Sequence, residues 1–210
     1  MSTMPRHSTP SSEAEPAWDV ALLFPAQGGW SEGDYLALHT NQLVELSDGN
    51  LEVLPMPTPP HQGIVRYLFG LLSSVVISGG LGTVYFAPLR IHIREKTFRE
   101  PDIIFISLEH LQRIGPKYLT GADLVMEIVS PDHEAHERDY EAKRADYAEL
   151  GIPEYWIVDP QTERITVLTL EGQQYRVHGE FSPGQQATSV LLPGFAVDAS
   201  SVFAAGANPA

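Results

Sequence analysis

Two acidic residues occur where an apolar strand would place them inside a sheet. Asp102 follows Pro101 at the head of the run Ile103–Ile106, and Glu127 lies within the run Leu124–Val129. Strands that are apolar throughout are buried in a sheet, and a buried carboxylate costs several kcal/mol unless it is paired or binds a metal. Because hard cations choose oxygen ligands, the pair predicts a divalent-cation site if the two strands are neighbours. The alternative is that Asp102 caps a turn and Glu127 pairs with an arginine.

A charged helix, predicted over Asp132–Leu150, follows the strand that carries Glu127. Asp139, Lys143 and Tyr147 are spaced four residues apart and therefore share one face of that helix. From this face Lys143 could reach back over the end of the strand. The alternative is an ordinary solvated ion pair between Asp139 and Lys143, a common arrangement on helix surfaces.

Other catalytic patterns have less support in this sequence. His133 and His136 form a His-x-x-His pair, but the glutamate and the spacing of a zinc metalloprotease are missing. The sequence contains neither a glycine-rich phosphate loop nor a Gly-x-Ser-x-Gly elbow. Its lack of cysteine excludes disulfides and thiolate metal ligands.

The periodicity of the chain predicts the elements that must position these residues. Ser31 is the predicted N-cap of a short helix that ends at His39, and an Asp-Gly turn predicts a β-hairpin over 43–54. An amphipathic apolar stripe predicts a helix over His61–Ile77, ended by two glycines. A short helix is predicted at Leu108–Arg113. Further strands are predicted at Gly82–Phe86, Leu89–Arg94, Asp102–Ile106, Leu124–Val129, Tyr155–Val158, Arg164–Leu168 and Gln174–Val177. This order indicates a mixed sheet with helices, the α/β or α+β class.

Composition limits the organisation of the chain to one main domain. The 210 residues are 43% hydrophobic and 19% charged, which is ordinary for a globular protein and predicts a single domain, placed over 17–203. Residues 1–16 are rich in serine, proline and glutamate and are predicted to be a disordered tail, and residues 204–210 are predicted to fray. The N-terminal residues lack the apolar core of a signal peptide, and Leu68–Ile77 is too short to cross a bilayer, so we expect a cytoplasmic protein without a membrane partner. A net charge of −14 argues against a large phosphate-binding surface, although metal ions at a carboxylate site would supply positive charge locally.

The ordered set of motifs resembles the Uma family of restriction-endonuclease-like proteins, in the PD-(D/E)XK nuclease superfamily. The resemblance covers roughly Glu32 to Phe203. It is carried by Pro101-Asp102, by the segment Glu127–Pro131, by Asp139 with Lys143 and Tyr147, and by the segment Gly151–Pro160, which contains Tyr-Trp-Ile-Val-Asp-Pro.

The resemblance implies a restriction-endonuclease-like fold, with a central mixed sheet flanked by helices and preceded by the hairpin. It implies that Asp102, Glu127 and the Ile128 carbonyl are metal ligands. The superfamily lysine normally lies two residues after the acid, where this chain has Val129, so Lys143 on the following helix is the implied counterpart. The implied auxiliary residues are Glu52, His61, Asp139 and Tyr147, of which Glu52 has a plain solvent-facing alternative.

The function implied by the resemblance is metal-dependent phosphodiester hydrolysis of nucleic acid, with DNA as the expected substrate and Mg²⁺ or Mn²⁺ as the cofactor. A catalytically inactive nuclease-fold protein that binds or assembles is the first alternative. A structural interaction protein whose carboxylates are only ion-paired is the second. A homodimer is compatible with either, and fold alone does not decide among these functions.

Overall fold

The structure is a computed structural model that describes residues 24–40, 42–130 and 141–207. Four α-helices and twelve strands are found in this part of the chain, together with a 3₁₀ helix at Leu108–Arg113. The helices are α1 (Glu32–Leu36), α2 (Pro59–Gly79), α3 (Lys143–Leu150) and α4 (Ala199–Ala207). The strands are β1 (Val44–Ser47), β2 (Asn50–Val53), β3 (Gly82–Phe86), β4 (Ile91–Arg94), β5 (Thr97–Arg99), β6 (Ile103–Ser107), β7 (Leu124–Ile128), β8 (Glu154–Asp159), β9 (Arg164–Glu171), β10 (Gln174–Phe181), β11 (Gln186–Thr188) and β12 (Ala196–Asp198).

The central layer is a six-stranded mixed sheet in the order β10-β9-β8-β7-β6-β3. Strands β7 and β8 are parallel, and the other neighbouring pairs are antiparallel. Every residue of β7 and β8 is buried, which agrees with their apolar composition and with their central position in the sheet. Asp102 directly precedes β6 and Glu127 lies on β7, so two neighbouring strands carry the predicted acidic pair.

A second, four-stranded sheet in the order β2-β1-β5-β4 lies beside the first. The hairpin β1–β2 contributes two of its strands, and Glu45 pairs directly with Glu52 across the hairpin. Strand β1 lies inside this sheet, whereas β2 is at its edge. A small core of Trp30, Tyr35, Val44, Leu46 and Phe98 stabilises this region.

Helix α2 packs its apolar stripe against the central sheet, through buried residues that include Ile64, Leu68, Leu72 and Val76. Among the described residues it is the one helix long and apolar enough to span a membrane by length and composition, and 33% of its most apolar window is buried in the protein. Helix α4 crosses it at Gly63, where an added Cβ would lie 2.3 Å from the carbonyl oxygen of Ala205. Glycine is therefore required for this close approach.

The predicted fold class, a mixed central sheet flanked by helices after a hairpin, is confirmed. Several elements differ in detail from the prediction. Strand β5 was not predicted, nor were β11, β12 and α4, and both β9 and β10 continue further than expected. Helix α4 includes residues 204–207, which were predicted to fray, because it docks on α2. Of the predicted charged helix the structure describes α3, and the segment 131–140, with His133, His136 and Asp139, lies outside the described residues.

Candidate active site

A small pocket lies where the hairpin sheet meets the ends of β6 and β7. It has a volume of about 40 Å³, enough for a water molecule or a metal ion. Leu43, Leu54, Pro55 and Pro57 form its apolar wall. Its polar lining consists of His61, Glu100, Asp102, Glu127, Ser130 and Lys143, and Ile128 also borders it. The structure thus brings together Asp102, Glu127, Lys143, Ile128 and His61 from the predicted site.

Asp102 is fixed from two sides at the start of β6. Its Oδ2 accepts a hydrogen bond from the backbone N–H of Ile128 at 2.8 Å, which ties it to the residue after Glu127. His61 Nε2 lies 3.3 Å from the same oxygen, and both side chains are largely buried. The carboxylate therefore faces the pocket with its orientation set by β7 and by α2.

Glu127 lies on β7 with only 3% of its surface exposed. Its Oε1 accepts a hydrogen bond from the Tyr147 hydroxyl at 2.6 Å and lies 2.9 Å from Lys143 Nζ. Both partners come from α3, which the Gly151 C-cap ends immediately before β8. Helix α3 therefore holds the buried acid through one hydroxyl and one ammonium group.

Lys143 is the first residue of α3, and its side chain is 3% exposed. A solvated helix-surface pair is incompatible with this burial. Its ammonium also lies 3.4 Å from Oε1 of Glu45, which is completely buried on β1. Glu45 was not among the predicted site residues. The pattern Val44-Glu45-Leu46, an acid within a short apolar strand, was the available signal.

Glu45 connects the pocket to a chain of alternating charges. Its Oε1 accepts the backbone N–H of Glu100 at 2.8 Å, and its Oε2 lies 3.1 Å from Arg99. Arg99 Nε in turn lies 2.7 Å from Oδ2 of Asp146 on α3. Burial lowers the pKa of Arg99, but Glu45 and Asp146 outweigh burial, so its pKa is raised and the guanidinium stays charged.

Glu52 belongs to this charged chain and does not line the pocket. Its Oε2 lies 3.3 Å from Arg99, and its side chain is 36% exposed. The structure therefore connects this predicted auxiliary residue to Glu45 through Arg99, which both glutamates contact.

Two neighbouring groups have shifted proton affinities. Burial, followed by the charge of Glu127, raises the pKa of Tyr147 well above its usual value, so the hydroxyl remains a donor to Glu127. Burial also raises the pKa of Glu100, although the hydrogen bond from Arg90 opposes the shift. The pocket therefore contains one carboxyl group that gains a proton more readily than an exposed glutamate.

The pocket offers carboxylate and backbone oxygens, the ligands that hard cations bind. Among the residues that the structure describes, no group of three or more histidine, aspartate or glutamate side chains could hold a metal ion. Mg²⁺ commonly binds through one or two carboxylates, with water and substrate phosphate completing its shell. Asp102 and Glu127, lining one pocket beside the Ile128 backbone, fit that simpler requirement.

A second cluster contains serine, histidine and aspartate but not in a catalytic arrangement. Nδ1 of His110 lies 3.2 Å from the Ser107 hydroxyl and 2.6 Å from Asp123. A catalytic triad needs the serine and the acid on opposite nitrogens of the ring. Asp123 also accepts the backbone N–H of Ser107 at 2.8 Å, so this cluster stabilises the turn after β6.

Comparisons with known proteins agree with this fold. A crystal structure of a putative nuclease belonging to DUF820 from Anabaena variabilis ATCC 29413 superposes with a TM-score of 0.69 at 18% sequence identity, covering 87% of this chain and 99% of that one. No curated protein has a significant match to the sequence. Residues 32–200 match the model of the Uma2 family, described as Putative restriction endonuclease. Enzymes with restriction-endonuclease-like folds generally use divalent metals. The chain belongs to the Uma2 family.

Proposed function

We propose that this protein is a metal-dependent phosphodiesterase that hydrolyses nucleic acid, with DNA as its substrate. The family membership supports nuclease function in general. The observation that carries the more specific proposal is the buried contact of 2.9 Å between Lys143 and Glu127, in the pocket that Asp102 also lines. A buried lysine beside two carboxylates costs desolvation energy that a purely structural role does not require.

In this proposal Asp102, Glu127 and the Ile128 carbonyl hold Mg²⁺ or Mn²⁺. When bound, the cation polarises the scissile phosphate and makes water a better nucleophile. The protein contributes orientation. The Ile128 N–H fixes Asp102, and the Tyr147 hydroxyl fixes Glu127. His61 contacts Asp102 from α2 and is an auxiliary residue in this proposal.

Lys143 supplies the positive charge that a phosphoryl transition state needs. Its ammonium group is held by Glu127 and Glu45 from two different sheets. A group fixed in this way stabilises developing charge without reorganising during the reaction. Tyr147 acts on Lys143 indirectly, because both contact the same oxygen of Glu127. Asp139, the other predicted helper, lies outside the described residues.

A catalytically inactive binding or assembly protein is the second candidate. The net charge of −14 favours it, since a nucleic-acid surface is usually basic. The cytoplasmic location and the homodimer remain predictions from the sequence.

Plasmid nicking with Mg²⁺ or Mn²⁺ tests the proposal directly. We expect Asp102→Asn to lower the nicking rate at least roughly 10²-fold, as for loss of other groups that stabilise transition-state charge. The asparagine oxygen can still accept the Ile128 N–H, so the fold should be retained. Asp48→Asn is the matched control, because Asp48 is 66% exposed and pairs with Arg94 outside the pocket.

Metal binding provides the second measurement. Divalent cations should raise the melting temperature of the parent protein and of Asp48→Asn, but much less that of Asp102→Asn. An active protein whose rate survives Asp102→Asn would contradict the assignment of the site. Absence of both nicking and a metal-induced shift in the parent would instead favour the inactive binding protein.

A further inference from the structure

A larger cavity adjoins the active-site pocket and has no role in the proposed hydrolysis. Its volume is about 430 Å³, within the range of small-ligand sites. Leu43 and Glu100 border both spaces, so the two are neighbours across one wall. The other polar groups that line the cavity are Thr40, Gln42, Arg90 and Lys117.

The charge of this cavity is opposite to that of the protein as a whole. Arg90 and Lys117 contribute two positive charges, and Glu100 is its one acidic lining residue. In a chain with a net charge of −14, a cavity with net positive charge beside a carboxylate pocket needs a reason. Attraction of an anion is the simplest reason, since clefts of one charge sign concentrate ligands of the other.

Arg90 is positioned in advance for such a ligand. Its Nε lies 3.0 Å from Glu100 Oε1, and its guanidinium carbon lies 4.2 Å over the ring of Tyr35. Both contacts leave the two terminal nitrogens without a hydrogen bond to any described residue. A guanidinium held by its inner nitrogen and by an aromatic face can offer this outer edge to a phosphate at little entropic cost.

Lys117 complements Arg90 as a second positive charge on the cavity. It is exposed, and it forms no ion pair within the ranges 24–40, 42–130 and 141–207. The Thr40 hydroxyl and the Gln42 amide add neutral donors on the same cavity. Two cations with two neutral donors match the oxygen-rich surface of a phosphodiester better than that of a neutral ligand.

We propose that this cavity binds a backbone phosphate of the nucleic-acid substrate next to the phosphate that is cleaved. The inference rests on the proposed hydrolysis for its substrate class, but its test needs only binding. Such a site would allow an acidic protein to bind nucleic acid, because one local cationic site beside the metal pocket would replace a broad basic surface.

The test compares binding of a fluorescein-labelled single-stranded DNA 12-mer by fluorescence anisotropy, in Ca²⁺ instead of Mg²⁺. We expect Lys117→Glu to weaken binding roughly tenfold and to reduce the slope of log K against log salt by about 0.7, the contribution of one single-strand phosphate. Arg176→Glu is the control, with the same charge change on a side chain that is 69% exposed on β10. Arg90→Lys should also weaken binding, because a lysine cannot keep the fork and the ring contact together.

Inorganic phosphate distinguishes a substrate phosphate from a free one. In EDTA and without DNA, inorganic phosphate should bind the parent only weakly at millimolar concentrations, because the substrate phosphate is held partly through its connection to the metal pocket. Tight binding of inorganic phosphate that Lys117→Glu abolishes would show a site for free phosphate and overturn the proposal. Equal affinities of the parent and Lys117→Glu for the oligonucleotide would also overturn it, as would failure of the parent to bind the oligonucleotide.

The same variants separate this proposal from the proposed hydrolysis. If the parent binds DNA through Lys117 but cleaves nothing with Mg²⁺ or Mn²⁺, the cavity site stands and the hydrolase does not. If the parent cleaves DNA and Lys117→Glu binds equally well, hydrolysis stands and the cavity site is refuted.

Discussion

Replacing Lys143 by methionine tests the buried charge cluster most directly. Methionine keeps much of the length of the lysine side chain and removes its charge. Glu127 and Glu45 would then face each other with their shared ammonium removed, at positions that are 3% and 0% exposed. We expect a large loss of stability at neutral pH, because an uncompensated buried charge is far more costly than a lost surface pair.

The size of the effect follows from the two distances. At 2.9 and 3.4 Å, an effective dielectric of about 20 gives gross attractions of about 6 and about 5 kcal/mol. The desolvation cost of the lysine, which methionine avoids, offsets more than half of that total. A net loss of about 3 to 5 kcal/mol remains, the usual range for breaking a buried pair from one side. For a domain of this size, such a loss lowers the melting temperature by roughly 6 to 20 °C.

Urea unfolding followed by tryptophan fluorescence at pH 7 in EDTA measures the loss. The deficit should shrink as the pH falls, because protonation removes the carboxylate charges that methionine leaves uncompensated. Saturating Mg²⁺ should stabilise the variant more than the parent, because the cation supplies positive charge where the ammonium is missing. A cation at 100 times its dissociation constant stabilises the protein that binds it by about 2.7 kcal/mol. The control Lys117→Met removes an exposed charge and should cost at most about 0.5 kcal/mol.

A deficit below about 1 kcal/mol at pH 7, or one that does not respond to pH, would refute the buried ion cluster. It would mean that Lys143 turns to solvent and that another group neutralises Glu127.

Three further outcomes follow from other parts of the chain. Burial raises the pKa of Tyr35, Tyr147 and Tyr175. Their phenols therefore stay protonated in the folded state, whereas the tyrosines of the unfolded chain ionise from about pH 10. The free energy of unfolding should keep its full value below that pH and fall above it by up to ~1.4 kcal/mol per pH unit for each tyrosine. Absorbance at 295 nm should rise together with unfolding. Glu154→Gln should lower the free energy of unfolding in urea by about 1 to 3 kcal/mol. The buried carboxylate accepts hydrogen bonds from two backbone N–H groups and an indole N–H, and the amide nitrogen of glutamine cannot accept a hydrogen bond. No measurable loss would contradict this arrangement. Deletion of residues 1–16 should leave the melting temperature nearly unchanged, and a fall of several degrees would show that this segment packs on the domain.

The predicted residues that the structure brings to one pocket are those whose sequence signal is local. Asp102 stands at the head of one apolar run and Glu127 lies within another, and the runs themselves predicted buried strands, which the structure places side by side. Lys143 and Tyr147 follow from helical spacing, which places both side chains on the face that contacts Glu127. In these cases one element and its neighbour in the chain contain all the information.

Glu45 and Glu52 show what the sequence could not decide. Each is an acid within a short apolar strand of the same hairpin, and the two pair directly across it. What separates them is the strand that pairs with β1 on the side away from β2. Because β5 is that strand, Glu45 lies within the sheet, whereas Glu52 lies on its edge strand. Because β5 has only three residues, its periodicity is too short to predict.

Helix α4 illustrates a different limit. Its sequence is rich in alanine, serine and glycine and carries no charged residue, so it resembles a frayed tail. It is ordered by packing on α2 at Gly63, a contact between segments about 140 residues apart in the chain. Tertiary docking of this kind leaves no periodic signal in the docked segment.

The joining of two sheets through Glu45 has a consequence for how the protein is made. Glu45 and Arg99 emerge from the ribosome well before Lys143 and Asp146, which are their remaining partners in the charged chain. An early fragment can form the hairpin sheet with Glu45 paired to Arg99, but without Lys143 at its other oxygen and without Asp146 on Arg99. Closure of that sheet should therefore become more favourable once α3 has been synthesised, so the pocket is completed late in translation.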